Sequence, residues 1–290
     1  MMTLKNSLKV WPQYLLPQHF CSQLLGKLTH TQHKSTKNFI IQKLIDIYGI
    51  NMADALEPEP TAYPDVNAFF TRALKPDARS FPNQANAIAC PADGQISQLG
   101  RITQGQIFQA KGKQFSARAL LGGDEQRSAV FSNGQFATIY LSPKDYHRLH
   151  MPITGTLTEM IHIPGRLFSV NTTTTNTVPN LFARNERVCC FFDTAAGPMV
   201  LVLVGAIVVS SIETVWQGVI TPPTKNTLQH WDYRQQPLTL AQGQEMGRFN
   251  MGSTIIVLLA NDTLRFDNAL NAGANVRLGM TLGKFATAVT

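Results

Sequence analysis

Apolar residues in the first fifty positions recur at helical spacing, whereas from about Ile88 onward they gather into short β-branched runs. Between residues 3 and 28, Leu4, Leu8, Val10, Trp11, Tyr14, Leu15, Leu16, Phe20, Leu24, Leu25 and Leu28 are interspersed with Lys5, Lys9 and Lys27. Apolar bulk, a Trp, a Tyr and basic flanks together are the composition of helices that lie in a membrane interface, here broken by Pro12 and Pro17 into a pair. The same composition also suits a helical arm packed on the protein's own core. A further helix is capped by Ser35 or Thr36, carries Ile40, Leu44, Ile47 and Tyr48 as one stripe, and stops at Gly49. Asp65 caps a short helix over 67–73. Segments 135–141, 199–210, 212–220 and 254–259 predict strands, being rich in Val, Ile and Thr and bounded by Gly, Pro, Asn or Asp. Residues 168–187 have weak strand signals and read as a functional loop or lid. The fold class expected is α+β: a helical N-terminal region over 1–50, then a mainly antiparallel β-rich catalytic domain over 51–290.

Composition sharpens this picture. Of the 290 residues, 44% are hydrophobic and only 15% charged, which excludes a disordered chain. The net charge is +7, and the first fifty residues hold six lysines against Asp46 alone. Such an excess suits nucleic acid or an anionic membrane face on charge alone. A nucleic-acid module would line a groove with basic and aromatic residues. Here the charge collects in the arm, so no nucleic-acid partner is expected. Cys21, Cys90, Cys189 and Cys190 have no metal-ligand spacing and make a poor disulfide framework, so no metal is expected and a reducing, cytosol-facing location fits. The longest apolar run, 199–209, falls short of the roughly 18–20 residues that span a bilayer. Pro12, Gln13, Pro17, Gln18 and His19 interrupt any signal-peptide core. A membrane-active form of this chain would be peripheral.

Three places carry chemistry: Asp93-Gly94, the stretch from Tyr146 to His150, and Gly252-Ser253. Each has a plain structural explanation alone: a hairpin turn, a core histidine, a strand start. Together they supply an acid, a base and a hydroxyl. No G-x-S-x-G elbow surrounds Ser253, which argues against an ordinary serine hydrolase. Gly252 precedes Ser253 directly, and a serine hydroxyl can attack the carbonyl of the preceding residue through a five-membered ring. Glycine there has no Cβ to obstruct the attack.

Several long blocks give the sequence a family likeness. Gln244-Glu245-Met246-Gly247-Arg248-Phe249 with Met251-Gly252-Ser253-Thr254, the block from Leu141 to Pro152, Pro91-Ala92-Asp93-Gly94, and the block from Asn180 to Arg187 resemble prokaryotic-type phosphatidylserine decarboxylases. Met251 stands where the family usually has Leu, a swap that conserves volume. The resemblance implies self-cleavage between Gly252 and Ser253, driven by Asp93, His150 and Ser253. His150 would take the hydroxyl proton of Ser253, Asp93 would orient and stabilise the imidazolium, and the alkoxide would attack Gly252. Loss of the Cα proton from the resulting ester would expel the Gly252 carboxylate and leave dehydroalanine. Its tautomerisation and hydrolysis, with release of ammonia, would give a pyruvoyl group at Ser253 as covalent cofactor, on a 253–290 chain that stays paired with the 1–252 chain. That heterodimer could assemble further into a homo-oligomer. The pyruvoyl carbonyl would form a Schiff base with phosphatidylserine and release CO2, giving phosphatidylethanolamine. His147 is the choice for proton handling in that second reaction. Both histidines reach one site only if the stretch from Tyr146 to His150 is a turn. Arg148, Arg166, Arg184 and Arg187 are candidates for the substrate phosphate or carboxylate, and Leu167, Phe168, Leu181 and Phe182 for contact with lipid. The enzyme would sit on the cytoplasmic face of the cell membrane, its arm drawn to anionic lipid.

Three rivals remain at this level. A serine hydrolase would keep Ser253 and stay one chain, a noncatalytic binding module would lack turnover, and a pyruvoyl enzyme acting on a soluble amino acid would have no use for the arm.

Overall fold

A computed structural model describes residues 10–110, 112–207, 211–223, 226–250 and 253–286. Leu4, Lys5, Leu8, Lys9, the end of the 199–210 segment, and Met251 and Gly252 lie outside the described residues.

The body is a nine-stranded antiparallel sheet whose centre is the strand Ser253–Leu259, flanked by Gly197–Val204 and Gln135–Leu141. Outward from these run Arg187–Thr194 and Gly155–Ile163 on one side and Gly94–Arg101 on the other. The central strands read as unbroken apolar runs because both faces of the sheet are covered. Ile255, Val257 and Leu259 enter one core, and Ile256 and Leu258 the other. A four-stranded sheet is formed by Gly218–Val219, Ser211–Thr214, Glu245–Asn250 and Arg148–His150, and it packs over the first core. The 212–220 segment is therefore a hairpin and not one strand, turning at Val215–Gln217. The 199–210 segment leaves the sheet after Val204.

The described residues of the arm include the helices Pro12–Leu15, Gln18–Thr29 and Lys34–Tyr48. Among the described residues no helix is long and apolar enough to cross a membrane. The last of these helices starts two or three residues before the expected cap, with His33 at its N-cap, and ends at Gly49 with φ +65° as expected. Its buried face is Lys37 and Ile41, while Ile47 of the expected stripe is exposed. Ile41 shares a cluster with Ile50, Tyr63, Val66 and Phe69, so the helix packs across position 50. Lys37 donates to the carbonyls of Thr61 and Tyr63 at 2.8 and 2.6 Å, which removes its charge from the arm's surface. Asp65 caps Val66–Phe70 through Ala68 N at 2.7 Å, as the sequence predicts.

Residues 168–187 are not an open loop. They hold two short helices, Thr172–Thr177 and Leu181–Arg184, the first capped by Asn171. Phe168, Leu181 and Phe182 are buried in the second core and Leu167 is buried beside them in sequence, so none of them is free to dip into lipid.

Candidate active site

The chain between Leu141 and Arg148 connects the large sheet to the small one, where the strand Glu245–Asn250 pairs with Arg148–His150. Ser253 is paired with Leu141, and His147 accepts the amide of Phe249 through its carbonyl at 3.0 Å. These two contacts bring the histidine loop to the start of the central strand. Asp145 shapes that loop by accepting the amide and hydroxyl of Ser142, each at 2.7 Å. Residues 70–72 grip it from outside. Phe70 lies against the His147 ring, Thr71 O accepts from Arg148 Nε at 2.8 Å, and Arg72 donates to Lys144 O at 3.3 Å.

Ser253 is fully buried and its Oγ has no hydrogen-bond partner among the described residues. His147 is equally buried. Its Nδ1 lies 2.8 Å from Asp145 O, and a carbonyl can only accept, so Nδ1 carries the proton and Nε2 is a bare lone pair. That lone pair also has no partner among the described residues. Burial lowers the His147 pKa to about 3, with the nearby Arg72 guanidinium acting in the same direction. His150 shows the same logic with different partners: Nδ1 donates to Gly243 O at 2.8 Å, and the Tyr146 hydroxyl donates to Nε2 at 3.1 Å. Burial holds this imidazole below its usual range too.

The two histidines do not share a turn. His147 ends the loop and is fully buried, whereas His150 lies in the strand Arg148–His150 and is partly exposed, so the two imidazoles have different surroundings. Asp93 belongs with neither ring by direct bond. Its carboxylate is held by the Arg79 fork, Nε to Oδ1 at 3.1 Å and Nη2 to Oδ2 at 2.5 Å, and by Leu278 N at 2.7 Å. Its links to His150 are the neighbouring carbonyl of Pro91, which accepts His150 N at 3.0 Å, and its charge, which favours the protonated ring. Asp93-Gly94 is not a hairpin turn. Gly94 opens a strand, and a Cβ there would run into the carbonyl of Tyr140.

Two cavities flank the histidine loop. One, of about 320 Å³, is polar and lined by Asp93, Arg79, Arg72, Lys144, Asp145 and Tyr146. The other, of about 250 Å³, is mainly apolar, with walls from the arm (Leu44, Tyr48), Phe70, Leu141, Pro143 and the Ser169-Val170 segment. Neither Ser253 nor His147 lines this second cavity, but Leu141, the partner of Ser253, and Phe70, the partner of His147, both do. Of the arginines singled out from sequence, Arg187 spends its guanidinium on the carbonyls of Leu120, Asn185 and Ala119. Arg148 pairs with Glu245 at 3.0 Å. Arg166 and Arg184 remain near the cavity, stacked about Phe168. Arg79, Phe70 and Gly243 went unnoticed in the sequence, because each acts through a partner distant along the chain.

Sequence comparison bears on this geometry. A family model described as Phosphatidylserine decarboxylase matches residues 66–284, and a second, described as PSD, matches residues 8–49. A phosphatidylserine decarboxylase proenzyme of Methylococcus capsulatus is 53% identical over 271 residues, covering 93% of this chain and 94% of that protein. Proenzymes of the same description from Bordetella avium and Pseudomonas putida are 51% and 52% identical, each over 97% of this chain and over 96% and 99% of their own lengths.

Proposed function

The chain belongs to the phosphatidylserine decarboxylase family, and on that footing we propose that it is made as a precursor. It cuts itself between Gly252 and Ser253, then removes carbon dioxide from phosphatidylserine at a membrane surface. The observation that carries this reading is the apolar cavity bounded by Leu141 and Phe70, which sets Ser253 behind one wall and the bare lone pair of His147 behind another.

Self-cleavage draws on Ser253, His150 and Asp93. The Ser253 hydroxyl attacks the Gly252 carbonyl, and its proton passes to Nε2 of His150, the nitrogen that carries the lone pair. In the resting arrangement the Tyr146 hydroxyl covers that lone pair, so transfer begins with its moving aside. The imidazolium then formed is stabilised by the Asp93 charge and by Nδ1–H on Gly243 O. Ser253 suits conversion to a covalent pyruvoyl group: it heads its strand, and among the described residues no hydrogen bond depends on its hydroxyl. The pyruvoyl group supplies the electron-withdrawing carbonyl for decarboxylation. His147 Nε2, buried and neutral, moves the proton at the substrate's α-carbon, and the apolar walls exclude water from that site. The different partners of the two histidines suit two reactions that use one histidine each.

The arm docks the enzyme on the cytoplasmic leaflet as a peripheral protein. Trp11, Leu15, Phe20 and Leu24 are 64%, 70%, 65% and 60% exposed, an apolar face that an anionic bilayer covers while the arm's free lysines meet its charge. The chains 1–252 and 253–290 stay together as a heterodimer. Intact mass together with carbon dioxide release from phosphatidylserine vesicles tests the reading. Two chains with a pyruvoyl mass at Ser253 and turnover are expected. A single full-length chain with turnover on another ester would overturn it.

A further inference from the structure

The arm has an inner side as well as the outer one, and that side is bonded to backbone. Gln18 Oε1 accepts the amide of Leu167 at 2.8 Å, and Gln13 Oε1 accepts the amide of Ser169 at 2.9 Å. Gln18 is only 3% exposed, and its Nε2 donates to the backbone carbonyl of Gln13 at 2.6 Å, tying the Gln18 side chain to the turn of chain that carries Gln13. The residue between, Phe168, is held from the opposite side: Asn185 accepts its amide at 3.1 Å and donates to its carbonyl at 2.8 Å. Segment 167–169 is thus bonded alternately to the arm and to the core, as a strand is bonded to its two neighbours. His19 meets Gly165 O at 2.9 Å, Arg166 donates to Tyr14 O at 2.8 Å, and Tyr14 packs edge-on against Phe168 at 4.9 Å. The next two residues, Ser169 and Val170, are walls of the apolar cavity.

We propose that Gln13 and Gln18 are positioning residues that couple the seat of the arm on the bilayer to the shape of the substrate cavity. Side-chain amides replace a missing strand along 167–169, so that wall takes its working form only when the arm lies in place. The outer face of the same helices carries Trp11, Leu15 and Phe20, so lipid contact on one side and cavity shape on the other pass through a single rigid piece. This inference rests on the membrane decarboxylase reading above.

The test uses the full-length, self-cleaved enzyme with Gln13→Met and Gln18→Met together, which keep bulk and remove the acceptors. Vesicles of phosphatidylserine and phosphatidylcholine are the probe. Flotation with vesicles should match wild type, because the outer face is intact. Turnover should fall at least ten-fold, with the loss mainly in KM, and hydrogen exchange at the Leu167 and Ser169 amides should rise at least ten-fold. Gln13→Glu, which keeps an acceptor at a half-buried position, should restore most of the Ser169 protection when introduced alone. Unchanged exchange at both amides would overturn the proposal, as would loss of flotation in proportion to turnover. Should wild type release no carbon dioxide, the decarboxylase reading fails, while the exchange comparison still decides whether the clamp exists.

Discussion

The imidazole of His147 lies against the ring of Phe70 with centroids 4.0 Å apart and planes inclined by 42°. That contact, with complete burial, removes the water that would solvate an imidazolium, and it sets the direction of the ring's pH dependence.

An unfolded chain protonates this ring near pH 6.5, the folded one only near about 3. A lowered folded pKa means that the stabilisation is complete above about pH 6.5 and is lost as pH falls toward 3. Each unit corresponds to roughly 1.4 kcal/mol, so on the order of 2 kcal/mol should go between pH 6.5 and 5. In an uncut Ser253→Ala background, His147→Gln should flatten the acid slope of the denaturant midpoint by about that amount. Equal slopes in the two proteins would mean that the ring is hydrated.

The two reactions should separate by mutation. Ser253→Ala is expected to remain a single inactive chain, since no hydroxyl is present to attack Gly252. His147→Ala should still yield two chains, and decarboxylate about 100-fold or more slowly, the usual range for loss of a proton-transfer group. Denaturing gels read the first outcome and carbon dioxide release the second. Normal turnover in His147→Ala would remove this residue from the reaction.

Asp93 and Arg79 should behave as one unit. Asp93→Asn is expected to block processing and, in the Ser253→Ala background, to destabilise by roughly 1–3 kcal/mol, because the buried Arg79 fork then faces a neutral amide. A double-mutant cycle with Arg79→Met should show a coupling of about 1–3 kcal/mol in denaturant midpoints. Additive losses would show that the 2.5 Å bond contributes nothing.

On vesicles the arm should respond to salt in two parts. Screening shortens the Debye length from about 10 Å at 0.1 M to about 3 Å at 1 M. The lysine share of binding should therefore fade while the apolar share persists. Trp11→Ala with Phe20→Ala should leave an attachment that high salt removes. Lys34→Ala should weaken low-salt flotation, whereas Lys37→Met should act on folding instead, because Lys37 is spent on carbonyls. Salt-independent flotation of the Trp11, Phe20 double variant would refute this division.

The sequence made some of this legible and hid the rest for physical reasons. Asp65, Gly49 and the strand at 135–141 could be read because caps, left-handed stops and β-branched runs are local signals. The helices Thr172–Thr177 and Leu181–Arg184 could not, because elements this short show no periodicity and Thr is a poor helix former. The 212–220 hairpin turns at Val-Trp-Gln, with no Gly or Pro until Gly218, so it resembled one strand. The family likeness offered candidate site residues, but the partners that surround them could not be read. Nothing near Asp93 in sequence announces Arg79, and nothing near His150 announces Gly243.

Segment 253–286 enters the body at three separate places. Ser253–Leu259 lies between two strands of the large sheet, Asn275–Val276 pairs with Gly94–Arg101, and Thr281–Phe285 bridges Ala87–Ala89 and Leu264–Phe266. While Gly252 and Ser253 are joined, threading this segment home is a unimolecular event, at an effective concentration that a short tether sets near millimolar. Once the bond is cut, the same assembly becomes a meeting of two molecules. The precursor should therefore refold from denaturant at a rate independent of dilution. The processed enzyme should recover only in proportion to its concentration, so each molecule has one efficient opportunity to fold, and that opportunity precedes its own activation.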